Sequence, residues 1–257
     1  MNLNGVTQSI DGMFDQIDQI GQIGRPASEP HYSMGWAWSG NAPFQWVKQV
    51  ASHLGGSRNP MVVSWPKIKG GGEVRSQFTH LIDILPTILD AAGIPAHEEV
   101  NGITQKALDG VRITSTFNNS AAKPVRERQY FEVLSNRAIY DQGWIACAQH
   151  TLPWRQDYAP GIWDKDKWEL YHLDEDFSES NDLAEAHPEK LEELKKLFDE
   201  EAEKYGSIHS MTAVPPGSRC PSPRPVVLTR TVRSSRTTPT LFDFPKRPHR
   251  ILRIALT

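Results

Sequence analysis

The chain changes character at residue 208, and that break limits what a single fold can include. Residues 208–257 carry nine Lys/Arg against one acid, Asp243, together with eight of the 19 prolines. The first 207 residues hold the remaining 19 basic groups and 30 acidic ones. A Pro-rich run of like charge buries too little apolar surface to offset its conformational entropy. The folded part is therefore expected to end with residue 207. A chain of 257 residues allows one large domain or two smaller ones. No apolar run approaches the roughly 18 residues of a membrane span, and no basic-then-apolar start marks a secretory signal. No membrane partner is expected, and localisation stays open. Cys147 and Cys220 are too few for a disulfide framework or a four-thiolate metal site.

Within the first 207 residues, periodicity and turn chemistry define elements. A weakly amphipathic stretch surrounds Met13–Ile23. Residues 31–56, with Trp36, Trp38 and Trp46, read as a structured loop leading into a short helix. Those three rings could form a substrate platform or pack in the core; the core reading is preferred. "PMVVSWP" (60–66) has the length and apolarity of a buried strand, and "KIKGGGEVRS" follows as an exposed turn. Phe78, Leu81, Ile82, Leu85, Ile88 and Leu89 stand at helical spacing, with Gly93 and Pro95 as a stop and Pro86 expected to kink or split the helix. Residues 128–134, 137–149 and 167–173 read as strands, with Asp141-Gln142-Gly143 as a tight hairpin connection. The clearest helix is 188–206, where Pro188 suits an early position, Leu191, Leu194, Leu197 and Phe198 form a stripe, and Gly206 suits the end. His80 and Asp83, at i and i+3, are read as scaffold rather than acid–base groups. Asp174, Glu175 and Asp176 are read as an acidic turn rather than a calcium site, and Cys147 as a buried apolar residue.

Six segments then carry a resemblance. In order they are "GWAWSGNAPFQWVKQVASHLGG", "NPMVVSWPK", "RSQFTHLIDILPTILDAAGIP", "VNGITQKALDGV", "QYFEVLSNRAIYDQGW" and "WELYHLDEDFSESNDLAEAHPEKLEEL". Over residues 3–207 the chain resembles the C-terminal part of the arylsulfatase family, within the alkaline-phosphatase-like superfamily. The resemblance implies an α/β fold. Residues 1–125 would be a remnant of the catalytic domain, 126–207 a small antiparallel sheet with a C-terminal helix, and 208–257 a disordered tail. It also implies hydrolysis of sulfate esters by a formylglycine nucleophile, with calcium or another divalent cation as Lewis acid and template.

The family's metal-binding Asp-Asp, its Cys-x-Pro-x-Arg segment and its Asp-Asn-Gly pair have no counterpart in residues 1–207. The chain is therefore expected to be a fragment, inactive alone, of a family whose intact members take a sulfate ester substrate. The alternative is a non-catalytic complementing or binding partner of a separately encoded N-terminal half. Whether it is an enzyme by itself is left open. Lys48, seven residues before Gly55-Gly56, matches the family lysine that contacts sulfate near the leaving group. The alternative is a solvated Lys on a short helix. His53, two residues before the glycine pair, either lines the same pocket or is a loop histidine.

The tail holds a decoy. "RCPSPRPVVLTR" (219–230) places Cys220, Arg224 and Leu228-Thr229 as the family's nucleophile segment would. Ser222 stands where the family has Pro, Arg230 where it has Gly, and the run follows the last helix. Shifting the frame back by one base, with ordinary GC-rich codons, turns "IHSMTAVPPGS" into a segment beginning Pro-Leu-Asp-Asp-Arg, which resembles the family's usual continuation. Residues from about Ile208 onward are therefore expected to be read out of frame. The competing reading is a non-catalytic binding partner with a basic arm. Phe242 and Phe244 are the arm's only aromatic residues, which weighs against nucleic acid.

Overall fold

A computed structural model of the chain describes residues 2–3, 6–7, 34–152, 163–207 and 251–256. The expected amphipathic stretch near Met13–Ile23, the Cys220 segment and most of the tail lie outside these residues. The described part divides into two compact units. The first comprises residues up to Asn59 and those from Arg126 to 207; the second comprises Pro60–Val125 with 251–256.

The first unit opens with two short antiparallel strands, β1 (Asn2–Leu3) and β2 (Val6–Thr7). Two helices follow, α1 (Met34–Asn41) and α2 (Leu54–Ser57). The sequence reading put a loop where α1 stands. Trp38 stacks on Trp46 with ring centroids 4.9 Å apart, a tertiary contact that favours helix despite two glycines and a serine. Trp36 and Trp38 are exposed, so the core reading does not hold for them.

The unit's main sheet is a four-stranded antiparallel meander in the order β10-β9-β8-β7. Its strands are β7 (Arg128–Val133), β8 (Asn136–Asp141), β9 (Trp144–Ala148) and β10 (Trp168–His172), close to the expected spans. Two-residue turns close both hairpins, with positive φ at Leu134-Ser135 and at Gln142-Gly143. The first turn uses no glycine and has no sequence signature; Ser135 N–H donates to Glu132 Oε1 at 2.7 Å and holds it.

Helix α3 (Ile84–Ala92) belongs to the second unit, and α4 (Pro188–Lys204) lies on one face of the meander. Leu194, Phe198 and Ala202, four residues apart, are buried against Ile139, Ala146 and Leu170 of the sheet. Pro188 starts the helix, and Gly206 follows it in the left-handed region at φ 69°. A sheet covered by its terminal helix is the architecture expected for residues 126–207.

The second unit contains β3 (Asn59–Ser64), β4 (Glu73–Arg75) and β11 (Ile251–Leu256), in the order β3-β11-β4 with β11 parallel to β4. Two expectations are corrected here. The glycine-rich segment read as a turn contains β4, and β3, read as a buried strand, has no fully buried residue. Residues 251–256 supply β11. Arg75 explains the first: its buried guanidinium donates to Thr116 O at 2.7 Å and Phe117 O at 3.0 Å, fixing the strand from within. Helix α3 (Ile84–Ala92) begins just before Pro86, so Pro86 occupies the first turn, where its missing N–H has no helical acceptor. The helical pattern is split ahead of Pro86, as one of the two expected outcomes: a 3₁₀ turn, Leu81–Asp83, precedes α3. His80 and Asp83 are scaffold, as expected: Asp83 accepts from His80 N–H at 2.9 Å and Val111 N–H at 2.8 Å. A hairpin, β5 (Glu99–Val100) with β6 (Ile103–Thr104), turns through Asn101-Gly102 at positive φ. Between β3 and α3 lies an apolar groove of about 500 Å³ whose walls include Met61, Val63, Trp65, Ile88 and Phe117.

Candidate functional site

Residues 45–56 form a braced loop in the first unit. Val47 and Val50 are buried, while Lys48 between them is exposed. Trp46 and Gln49 take positive φ, 67° and 80°, a conformation that side-chain-bearing residues hold only under local constraint. The constraints are specific. Asn41 Nδ2 donates to Trp46 O at 3.1 Å and Gly55 O at 2.7 Å, and Asn136 Nδ2 donates to Gln49 O at 3.0 Å. Gly55 and Gly56 permit the approach: a Cβ on Gly56 would lie 2.0 Å from Val50 O, and one on Gly55 2.1 Å from Gln45 O. Among the described residues Lys48 has no hydrogen-bond or salt-bridge partner. The loop thus presents one ammonium to solvent from a fixed backbone.

His53 is placed differently. It is 1% exposed, immediately before α2, and its ring faces the sheet on the side opposite α4. Nδ1 lies 2.9 Å from Ser52 Oγ, Nε2 lies 3.1 Å from Glu169 Oε2, and Cys147 Sγ is 3.8 Å from Nε2. Cys147 and Glu169 are direct cross-strand partners on β9 and β10, so both project to the same face. Tyr171, two residues beyond Glu169, donates its hydroxyl to Glu169 Oε2 at 3.2 Å. Glu179 is fully buried after β10; its Oε2 accepts from Leu54 N–H at 2.9 Å and its Oε1 has no partner.

This cluster is electrostatically tense. Burial, then the Glu179 and Glu169 carboxylates, push the Cys147 thiol well up. Burial raises Glu179 to about 7, against the opposing effects of His53 and the Leu54 N–H. Glu169 is held below its ordinary value chiefly by the bond from His53. The sequence points to His53 and marks Cys147 as a buried apolar residue, which it is; no motif in the sequence marks Glu169 or Glu179. The available signal was strand alternation, which puts Ile145 and Cys147 on one face and Glu169 and Tyr171 on one face. The β9–β10 register that joins them was not readable.

With this geometry in view, comparison with known proteins gives the class. Residues 44–205 match the family described as N-sulphoglucosamine sulphohydrolase, C-terminal, and the chain belongs to that family of sulfatases. Among relatives, an uncharacterised sulfatase of Schizosaccharomyces pombe is 30% identical over 167 residues, covering 63% of this chain and 28% of the relative. Arylsulfatase K of Danio rerio is 28% identical over 145 residues, covering 56% and 25%. The chain spans about a quarter of the length of these relatives. Solved structures align weakly. One of a protein with its substrate D-glucosamine-2-N,6-O-disulfate gives a TM-score of 0.35 at 21% identity, over 51% of this chain and 25% of that one. Ps i-CgsB in complex with k-i-k-neocarrahexaose gives 0.40 at 18% identity, over 59% and 32%.

Calcium, implied by the family resemblance, can be tested against the donors present. Calcium takes six to eight oxygen ligands. Among the described residues the one convergent group of three metal-ligating side chains is His53, Cys147 and Glu169, which offers nitrogen, sulfur and oxygen. That set does not fit calcium. Asp176 is also engaged otherwise: its carboxylate accepts from the N–H groups of Ser180 and Asn181, both at 2.7 Å, closing the acidic turn. No helix among the described residues is long and apolar enough to cross a membrane.

Proposed function

We propose that the chain is the C-terminal portion of a sulfate ester hydrolase, in which Lys48 contacts the sulfate group near the leaving oxygen. The carrying observation is the Lys48 loop. Its backbone is over-determined by buried valines, two asparagine braces and a glycine pair, while its ammonium has no partner among the described residues. A cation positioned in that way stabilises negative charge that develops as the ester bond breaks, without reorganising. The lysine supplies no nucleophile and no base. Bond cleavage on this reading needs the formylglycine and the metal carboxylates of a front half.

His53 enters as a positioning residue rather than a pocket wall, because its ring is buried between the loop and the sheet. The test is a sulfatase assay of the chain alone and of the chain co-expressed with a sulfatase front half, each with and without calcium. Activity is expected only in the combination. Lys48→Ala should then lower kcat by 10²-fold or more on the scale of a lost oxyanion contact, and Lys48→Arg should recover part of it. Activity of the chain alone, or full activity of Lys48→Ala in the combination, would overturn the reading.

A further inference from the structure

We propose that His53, Cys147 and Glu169 form a binding site for one Zn²⁺ ion. Three ligand atoms of different chemistry converge there, all within 4.8 Å of one another. Zinc bonds of about 2.0–2.3 Å to oxygen, nitrogen and sulfur, set at tetrahedral angles, put neighbouring ligands about 3.3–3.6 Å apart. The observed Nε2–Oε2 and Sγ–Nε2 separations are 3.1 and 3.8 Å, on either side of that range. Imidazole with thiolate and carboxylate is a donor set for a borderline-soft divalent cation, and the fourth tetrahedral position is open to water.

Hydrogen bonding alone leaves the cluster unresolved. If Nε2 carries the proton donated to Glu169, Cys147 Sγ at 3.8 Å is left with only a weak contact from that N–H. If Nε2 is bare to accept from the thiol, Glu169 loses its nearest donor. A cation at the centre satisfies all three atoms together. Ser52 is compatible with this arrangement: with a metal on Nε2, its Oγ, 2.9 Å from Nδ1, is placed to accept the remaining ring proton. Binding releases the Sγ proton to solvent, as metal sites with thiolates do. Glu179, buried beside the same loop, bonds Leu54 N–H through Oε2 and leaves Oε1 unpartnered among the described residues. The Glu169 side chain is 28% exposed and gives the ion a route in. The ion would tie the segment five residues after Lys48 to β9 and β10. The proposal stands independently of sulfatase activity.

The test uses the full chain with Cys220 replaced by Ser, so that Cys147 is the sole thiol, after removal of metal by a chelator. Titration with Co²⁺ alone should produce near-ultraviolet thiolate-to-cobalt absorption together with tetrahedral visible bands. Zn²⁺, in competition with a chromophoric chelator, should bind at one per chain and raise Tm. Cys147→Ser should abolish the thiolate absorption, and Cys147→Ser or His53→Gln should weaken Zn²⁺ binding by at least about tenfold. His97→Ala, at an exposed histidine, should change neither reading. Absence of the thiolate absorption in the otherwise unaltered site overturns the proposal whether or not the variants fold. So does binding through exposed histidines only, recognised by its survival in both variants and its loss in His97→Ala.

Discussion

Asp182 shows how a single carboxylate joins elements in the first unit. It accepts from Leu170 N–H at 3.1 Å, Ala184 N–H at 3.0 Å and Lys167 Nζ at 2.7 Å, tying β10 to the segment entering α4. Burial raises its carboxyl, but these bonds outweigh burial and hold it below the usual range. A carboxyl with a depressed folded value stabilises the fold above its unfolded pKa of about 3.9, and that contribution disappears as pH falls through the folded value. Lys167 is exposed and contributes little, so the two backbone bonds carry most of the effect. Asp182→Asn should cost about 1–2 kcal/mol near neutral pH. The gap to wild type should shrink as pH drops below about 4. Urea unfolding across that interval measures it, and a gap that stays constant would contradict the assignment. Residues of this kind are poorly legible in sequence, because Asp182 looks like any acid in an acidic turn until its backbone partners are known. Lys48 and His53 were singled out only through the motif around them, and their opposite burial was not readable from it.

Among the elements, α4 was the most legible. Its heptad-like stripe, its early proline and its following glycine are local signals, and helix formation depends on contacts within a few residues. The stripe contains two of the three buried residues: Leu194 and Phe198 face the sheet together with Ala202, while Leu191 and Leu197 flank them. Leu194→Ala should cost about 2–5 kcal/mol by opening a cavity against Ile139 and Leu170. Glu200→Ala, on the exposed face, should stay within about 0.5 kcal/mol. Chemical denaturation of both variants checks the pair, and comparable losses would mean that α4 does not hold the sheet. Strand β4 failed in the sequence reading for the opposite reason. Three residues after a glycine run carry no periodicity, and only Arg75, reaching 41 residues along the chain to Thr116, makes a strand there.

For the whole molecule, the second unit exposes more apolar surface than a self-sufficient domain usually does. Val62 and Val74 on the outer strands β3 and β4, with Leu85 and Ile88 on α3, are each more than half exposed. Open strand edges and a contiguous apolar groove promote self-association. The purified chain is expected to elute as a distribution of oligomers in size-exclusion chromatography with light scattering. Val62→Lys combined with Ile88→Lys should raise the monomer fraction, and a monodisperse wild-type monomer would contradict the expectation. In the sequence alone, several motifs in a defined order mark the family, and local signals mark α4 and the Gln142-Gly143 hairpin. The sequence also carries the composition break at residue 208. Tertiary structure decided that six residues beyond that break pair as β11 with β4, and that β9 and β10 align to set Cys147 opposite Glu169 beneath His53. Local order follows from steric preference and hydrogen bonds within a turn or two. Long-range pairing follows from burial summed over the whole unit, which no short window of sequence contains.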